Sequence, residues 1–210
     1  MKFEDGTSDT ANLVLGCDGI DSALKTLYVT PEVVPQYSGL SRISAFLSVK
    51  DQPEVSTSVT CTYGMLTQDW LFGIMPCTQA GDTLHWFFAH EVPVPTTGGS
   101  RDGWEEHRRT EVKGFKTKIL TRLKDARGEW VLFKSAIQQT ETVSFEPIFS
   151  LPLGTKWLED DALLVGDAAH AMQPYSRQGV SMALEDVSCS LASLKPFMPT
   201  YLASLRSLTN

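Results

Sequence analysis

Two short acidic motifs carry the chemistry that this sequence offers. The first is D-G-I-D-S-A-L-K, residues 18–25, and the second is G-D-A-A-H, residues 166–170. Each follows a short apolar run, and in open α/β sheets ligands bind at the carboxyl ends of the strands. A carboxylate at such an end, for example Asp167, can accept hydrogen bonds from the hydroxyl groups of a sugar-like ligand. The sequence therefore predicts a ligand site that contains both motifs.

The elements around the motifs are predicted to be strand, loop and helix. The run A-L-L-V at 162–165 is apolar throughout, which is typical of a strand buried on both faces of a parallel sheet. Leu13–Leu15 forms a similar short strand before the first motif, and a helix is predicted over about Ser22 to Leu27. Apolar residues follow a helical period from Val180 until Pro196. We expect the two strands to be parallel neighbours with Asp18 and Asp167 at the same end.

The middle of the chain is predicted to be an antiparallel sheet followed by helices. Alternation of apolar and polar residues indicates strands at 43–49, 55–63, 70–74 and 84–88, with a further strand near Val143. Most of the aromatic side chains at strand spacing are expected to be sheet core: Trp70, Phe72, Trp86 and Phe88. The Pro- and Gly-rich stretch 92–100 is predicted to be a linker, and residues 2–16 a hairpin that turns at Asp5-Gly6.

Basic residues are concentrated between Arg101 and Lys134. This segment could bind anions. Apolar residues recur there at helical spacing between charges of both signs, which favours a helix with one buried face and one solvated face.

The two motifs together resemble those of the FAD-dependent aromatic-ring hydroxylases, flavin monooxygenases such as p-hydroxybenzoate and salicylate hydroxylases. Residues 18–25 are similar to the family pattern D-G-x-x-S-x-(V/L)-R, with Lys25 where arginine is usual. Residues 166–174 are similar to G-D-A-A-H-x-x-x-P, and the Q-G at 178–179 and the E-D at 185–186 also follow the family pattern. The order of the motifs and the β-rich segment between them strengthen the resemblance.

The resemblance implies a set of cofactor-binding residues: Asp18, Gly19, Gly166, Asp167, Pro174, Gly179, Val180 and Ser181. Asp167 would hold the ribityl chain of FAD, and Asp18 would bridge the cofactor and the groups that bind the nicotinamide. The helix that begins at Gly179 would direct backbone N–H groups at the pyrimidine edge of the flavin, where the reduced form is anionic. The resemblance implies no protein nucleophile as a catalytic residue. Asp167 and His170 could form a metal pair, but no further ligand stands at metal-ligand spacing, so no metal ion is expected. His170 is expected to hydrogen-bond within its loop.

The fold implied is α/β, or α+β overall: a partial FAD-binding Rossmann-like domain with an inserted antiparallel-sheet substrate domain. Residues 1–30 and 155–210 would form the FAD-binding part, and residues 31–154 the substrate domain. The implied activity is hydroxylation of a small organic substrate, expected to be aromatic, by O2, driven by NAD(P)H and carried out by FAD. The resemblance therefore implies that the protein is a flavoprotein and an oxidoreductase.

The chain departs from the family pattern at the cofactor phosphates. It contains no G-x-G-x-x-G, the glycine pattern that holds the pyrophosphate of a dinucleotide. We therefore expect an N-terminally truncated fragment, in which Leu13–Leu15 is an open sheet edge through which chains self-associate. A second hypothesis stays open: a catalytically inactive remnant that acts at most as a binding or interaction module.

Composition bounds the alternatives. A net charge of −7 argues against nucleic-acid binding. The longest apolar runs are far shorter than the roughly 20 residues that span a bilayer, and the start of the chain lacks the apolar core of a signal peptide. The four cysteines have no C-x-x-C spacing, which favours a reduced, cytoplasmic location over a zinc or disulfide site.

Overall fold

A computed structural model describes residues 2–95, 101–125, 127–128 and 130–194. Its strands are β1 (Val14–Gly16), β2 (Gln36–Ser48), β3 (Tyr63–Leu66), β4 (Trp70–Pro76), β5 (Thr83–Glu91), β6 (Ser144–Ser150), β7 (Leu158–Glu159) and β8 (Ala162–Leu164). Its α-helices are α1 (Pro53–Ser58), α2 (Arg101–Arg122), α3 (Trp130–Gln139), α4 (Asp167–His170) and α5 (Gly179–Leu194). A π-helix covers Lys25–Val29 and a 3₁₀ turn covers Pro174–Ser176. The chain divides into two compact units, formed by residues 1–38 with 149–210 and by residues 39–148.

The first unit contains a three-stranded sheet in the order β1-β8-β7. Strands β1 and β8 are parallel, with Val14 opposite Ala162 and Gly16 opposite Leu164. The predicted parallel pair is thereby confirmed. Two hydrogen bonds extend the pairing beyond the strands, from the N–H of Val14 to the carbonyl of Asp161 and from the N–H of Val165 to the carbonyl of Gly16.

The core of the first unit is small and lies on this sheet. Its buried members are Val29, Ala162, Leu164, Ala168 and Ala169, with Val14 and Leu24 packed against them. Because the alanines of α4 have no side chain beyond Cβ, this short helix lies close to the strands. The core therefore fixes the G-D-A-A-H segment on the sheet.

The second unit contains a five-stranded sheet in the order β3-β4-β5-β2-β6. The pairs β3–β4, β4–β5 and β2–β5 are antiparallel, as predicted. Phe72, Trp86 and Phe88 are at most 1% exposed, and the Trp70 ring lies 5.7 Å from that of Phe88, which confirms the predicted aromatic core. The indole N–H of Trp86 is not left unpaired in this core, since it donates to the hydroxyl of Thr140 at 3.0 Å.

The predicted strand at 55–63 is wrong. Residues 53–58 form helix α1, with Pro53 in its first turn and Glu54 close to its N-terminus. Both features stabilise a helix start. Val55 and Val59 are both buried, and their spacing of four residues places them on one helical face. The alternation of residue types over 55–63 had predicted a strand instead of this helical spacing.

The N-terminal hairpin is also corrected. Lys2 and Ser8 form an isolated antiparallel bridge around the turn at Asp5-Gly6, but the predicted return strand pairs with β8 instead. The helix predicted from Ser22 is present, with π geometry from Lys25. Of the predicted linker, residues 96–100 lie outside the described part of the chain, as does Pro196.

The charged segment forms α2 and α3. The buried side of α2 carries Trp104, Phe115 and Ile119, and Leu123, directly after the helix, is buried as well. A polar cluster also lies against α2. Lys118 Nζ donates to Glu111 Oε1 at 2.7 Å, and His90 Nε2 of β5 lies 3.3 Å from Glu111 Oε2. Burial would raise the pKa of Glu111, but the hydrogen bonds and charges of His90 and Lys118 outweigh it and lower the pKa from 4.5 to about 2.

Replacing Glu111 by Gln is expected to lower the free energy of unfolding by about 1 to 3 kcal/mol at pH 7, because it leaves Lys118 without its carboxylate. Since the folded-state pKa is depressed, the stabilisation by Glu111 is present above pH 4.5 and disappears as the pH falls through about 2. Urea unfolding at pH 7 and pH 3 measures both effects. Glu105→Gln is the control, because Glu105 pairs with Arg108 on the exposed side of the same helix. Equal losses in the two variants would contradict the prediction.

Candidate functional site

The two sequence motifs lie at the carboxyl ends of two neighbouring strands of the three-stranded sheet. Asp18 follows the end of β1 and Asp167 follows the end of β8. Because these strands are parallel and in register, their carboxyl ends lie side by side. The structure thus places Asp18 and Asp167 at the same end of the sheet, as expected from the sequence.

The carboxylate of Asp18 organises its own loop. Asp18 Oδ2 accepts the N–H of Ala23 at 2.8 Å. Partial burial raises the pKa of Asp18, but hydrogen bonds from Ser22, Ala23 and Leu24 outweigh it and hold the pKa below its usual value. Gly19 has φ of +79°, the left-handed region in which glycine is unstrained. A role of Asp18 and Gly19 in cofactor binding stays a prediction.

Lys25 is buried under this loop and bonds to its backbone, a role that was not predicted from the sequence. Its side chain is 1% exposed, and Nζ donates to the carbonyl oxygen of Ile20. Burial lowers the pKa of Lys25, and the charges of Asp21 and Asp18 oppose that shift. A single carbonyl contact needs no bidentate fork, so lysine can stand where the family pattern has arginine.

Gly166 and Asp167 form the turn from β8 into α4. Gly166 has φ of +62°, and a Cβ at this position would lie 3.3 Å from the Cβ of Ala183. Asp167 opens α4 with its side chain exposed. Within the described residues its carboxylate has no hydrogen-bond donor. Its acceptor oxygens are therefore available to a ligand.

The N-terminus of α5 lies beside this carboxylate. Pro174 opens the 3₁₀ turn that precedes α5, and α5 begins at Gly179. A Cβ at Gly179 would lie 3.8 Å from Asp167 Oδ1, so glycine leaves open space next to the carboxylate. The first backbone N–H that bonds into the helix is that of Met182, to the carbonyl of Gln178 at 2.9 Å. The N–H groups of Gly179, Val180 and Ser181 therefore have no acceptor within the helix.

Asp186 connects α5 to the G-D turn, and the sequence analysis missed this contact. Asp186 Oδ2 accepts the N–H of Gly166 at 2.8 Å and lies 2.7 Å from His170 Nε2. The side chain of His170 therefore bonds to α5 and not within its own loop, contrary to expectation. The ring of Trp157 packs edge-on against His170, with centroids 5.3 Å apart. The E-D pair was the only signal, and it did not identify the partner.

Metal ligation and membrane spanning find no support in the described residues. Residues 2–95, 101–125, 127–128 and 130–194 contain no group of three or more His, Cys, Asp or Glu side chains that could hold a metal ion. Over the same residues, no helix has both the length and the apolar character needed to cross a membrane. All four cysteines are free and exposed.

Comparison with known proteins identifies the class to which these motifs correspond. The chain is 28% identical over 207 residues to 6-hydroxynicotinate 3-monooxygenase from Pseudomonas fluorescens, covering 93% of this chain and 47% of that protein. It is also 28% identical over 220 residues to aurachin C monooxygenase/isomerase from Stigmatella aurantiaca, covering 99% and 49%. The homologues of this chain are FAD-dependent monooxygenases. No family model matches the sequence.

Solved structures with the same fold include PqsL from Pseudomonas aeruginosa, a probable FAD-dependent monooxygenase, with a TM-score of 0.67 at 18% identity over 92% of this chain and 48% of that one. A substrate complex of salicylate hydroxylase has a TM-score of 0.63 at 21% identity, covering 88% and 46%. These matches confirm the predicted fold class and the resemblance. The chain spans about half the length of the curated relatives it matches.

Proposed function

We propose that this protein is an FAD-dependent monooxygenase that uses NAD(P)H and O2 to hydroxylate a small aromatic substrate. One observation carries the proposal: the exposed Asp167 carboxylate lies beside the start of α5, whose first N–H groups have no acceptor within the helix. The relatives supply the reaction class, since the names of several describe them as monooxygenases of hydroxylated aromatic or heteroaromatic acids.

The donors and acceptors at this edge fit one half of FAD. An ionised carboxylate accepts hydrogen bonds from hydroxyl groups such as those of the ribityl chain. Backbone N–H groups at a helix N-terminus suit the pyrimidine edge of the flavin, which is anionic in the reduced state. The open space at Gly179 allows a flat ring system to approach the carboxylate. When bound, FAD supplies the redox chemistry, accepting a hydride from NAD(P)H and activating O2.

The chain's own residues bind and orient the cofactor. Asp167 fixes the ribityl chain, and the N–H groups of Val180 and Ser181 stabilise negative charge at the ring by about 0.3 to 2 kcal/mol. Pro174 has a fixed φ and no N–H group that could hydrogen-bond to the ring. It is therefore suited to line the reactive edge of the flavin. Asp18 and Gly19 are proposed to contact the cofactor from the neighbouring strand end.

The second unit is proposed to bind the substrate. One face of its sheet is covered by aromatic core, whereas the opposite face carries Phe46, His85 and Phe87, with neighbouring ring centroids 4.9 and 6.2 Å apart. The ion pair of Arg42 with Glu146 lies on this opposite face as well, by strand alternation and register. Phe46 is 71% exposed. A face with one exposed ring, two half-buried rings and the paired guanidinium of Arg42 suits a planar aromatic acid, whose carboxylate would compete with Glu146 for Arg42.

Flavin titration with competing fragments tests the proposed cofactor site. We expect FAD and FMN to bind the chain with dissociation constants within about threefold, because the residues present contact the ribityl chain and ring that the two share. ADP is expected not to compete, because it contains neither. Quenching of flavin fluorescence measures all three. Displacement of FAD by ADP would contradict the assignment, and absence of flavin binding would favour the inactive remnant.

We also propose that the chain self-associates through β1. This strand is at the edge of the three-stranded sheet described, and Leu15 is 54% exposed. The apolar side chains that follow a helical period on α5 are exposed as well: Val180, Leu184, Val187 and Leu191, at 76, 63, 47 and 57%. A free strand edge and exposed apolar side chains each favour association.

Sedimentation velocity over a range of concentrations is expected to show dimers or larger species of the isolated chain. Leu15→Lys, which places a charge on the edge strand, is expected to shift the distribution toward monomer. A monomer at high concentration with slow hydrogen exchange at residues 14–16 would contradict the proposal.

The cytoplasmic location predicted from the sequence stays a prediction.

A further inference from the structure

The turn that presents Asp167 is held from both sides by one side chain. Asp186 Oδ2 accepts the N–H of Gly166, the residue before Asp167, and also bonds to His170, which ends α4. An ionised carboxylate can only accept, so the hydrogen of this second bond is on Nε2 of His170. The side chains of His170 and Asp186 are 9% and 21% exposed, which shields both bonds from water.

The same side chain sets the spacing of the candidate flavin site. Asp186 belongs to α5, whose first residue, Gly179, lies beside the Asp167 carboxylate. No protein donor within the described residues holds that carboxylate directly, so its position follows from the backbone on either side. Asp186 therefore attaches the turn that contains Asp167 to α5, whose first N–H groups are the proposed donors to the flavin.

We propose that Asp186 is a positioning residue for flavin binding, acting through Gly166 and His170 without touching the cofactor. This inference rests on the proposed function. Loss of the carboxylate would leave the Gly166 N–H without its acceptor and would free the His170 ring. The Asp167 carboxylate and the N-terminus of α5 would then no longer be held at a fixed spacing.

Three variants of the chain test the proposal through FMN affinity. Asp186→Ala is expected to weaken FMN binding about tenfold, because both bonds that hold the turn are lost and the spacing between Asp167 and the start of α5 is no longer fixed. Asp186→Asn keeps one oxygen where Oδ2 accepts both bonds, so it should retain affinity within about threefold. Glu185→Ala is the matched control, because it removes the same charge from the adjacent, exposed position of α5. Its affinity is expected to equal that of the wild type.

Nitrogen-15 NMR of the histidine rings gives a readout without flavin. The wild type and Asp186→Asn should show His170 protonated at Nε2, whereas Asp186→Ala should show both tautomers. Should Asp186→Ala not fold, His170→Phe replaces it, because phenylalanine keeps a ring but has no donor for Asp186, with an expected weakening of severalfold. The inference is overturned if the variant that breaks the Asp186–His170 bond binds FMN as tightly as the wild type. It is also overturned if Asp186→Asn keeps the His170 tautomer but binds FMN as weakly as Asp186→Ala. A wild-type chain that binds no FMN overturns the proposed function, and this inference with it.

Discussion

Purified on its own, the 210-residue chain is expected to be colourless and to leave NAD(P)H unoxidised. It contains no G-x-G-x-x-G to surround the pyrophosphate of FAD. Each charge-assisted hydrogen bond to such a group contributes about 1.5 to 3 kcal/mol, and each 1.4 kcal/mol changes affinity about tenfold. Several missing bonds thus reduce affinity enough for flavin to be lost during purification. Visible absorbance of the pure chain measures the bound fraction.

The matched comparison adds a glycine-rich strand–loop–helix ahead of residue 1. This longer version is expected to be yellow and to consume NAD(P)H, because it adds backbone donors for the pyrophosphate. Stoichiometric flavin in the 210-residue chain alone would show that residues 1–210 hold the cofactor without such a loop. A longer version that stays colourless would contradict the cofactor assignment.

Asp167→Ala is expected to weaken flavin binding by about 10- to 100-fold, through loss of a charged acceptor for ribityl hydroxyl groups. Asp167→Asn should fall between this variant and the wild type, since its side-chain oxygen still accepts. Asp161→Asn is the control, because Asp161 is exposed at the opposite end of β8. FMN titration of the three folded variants measures the differences. Equal affinity in Asp167→Ala and the wild type would contradict the proposed role of Asp167.

Much of the site architecture could be predicted from local sequence. The apolar run at 162–165 ends in Gly-Asp, and a strand buried on both faces has few other solutions than a parallel sheet. Strand β1 was predicted from the apolar run at 13–15, which also ends in glycine, and the structure pairs it with β8 although Leu15 is 54% exposed. These features depend on a few adjacent residues, which is why they are visible in one sequence.

What the sequence analysis missed depends on contacts between distant residues. Asp186 bonds to Gly166 across 20 positions, and neither residue type by itself indicates a partner. The apolar residues of α5 have a helical period, yet Val180 is 76% exposed, because periodicity does not show what covers a face. The helix at 53–58 was missed because Pro53 and the valine spacing were outweighed by short-range alternation.

Amide NMR of the ¹⁵N-labelled chain during titration with FMN tests the flavin site most directly. If flavin binds where the strand ends and α5 meet, the amides of residues 166–170 and 179–181 shift together and reach saturation with one dissociation constant. In Asp167→Ala the same shifts require about 10- to 100-fold more FMN. Absence of shifts in both segments at millimolar FMN, or shifts confined to other parts of the chain, would contradict the flavin site.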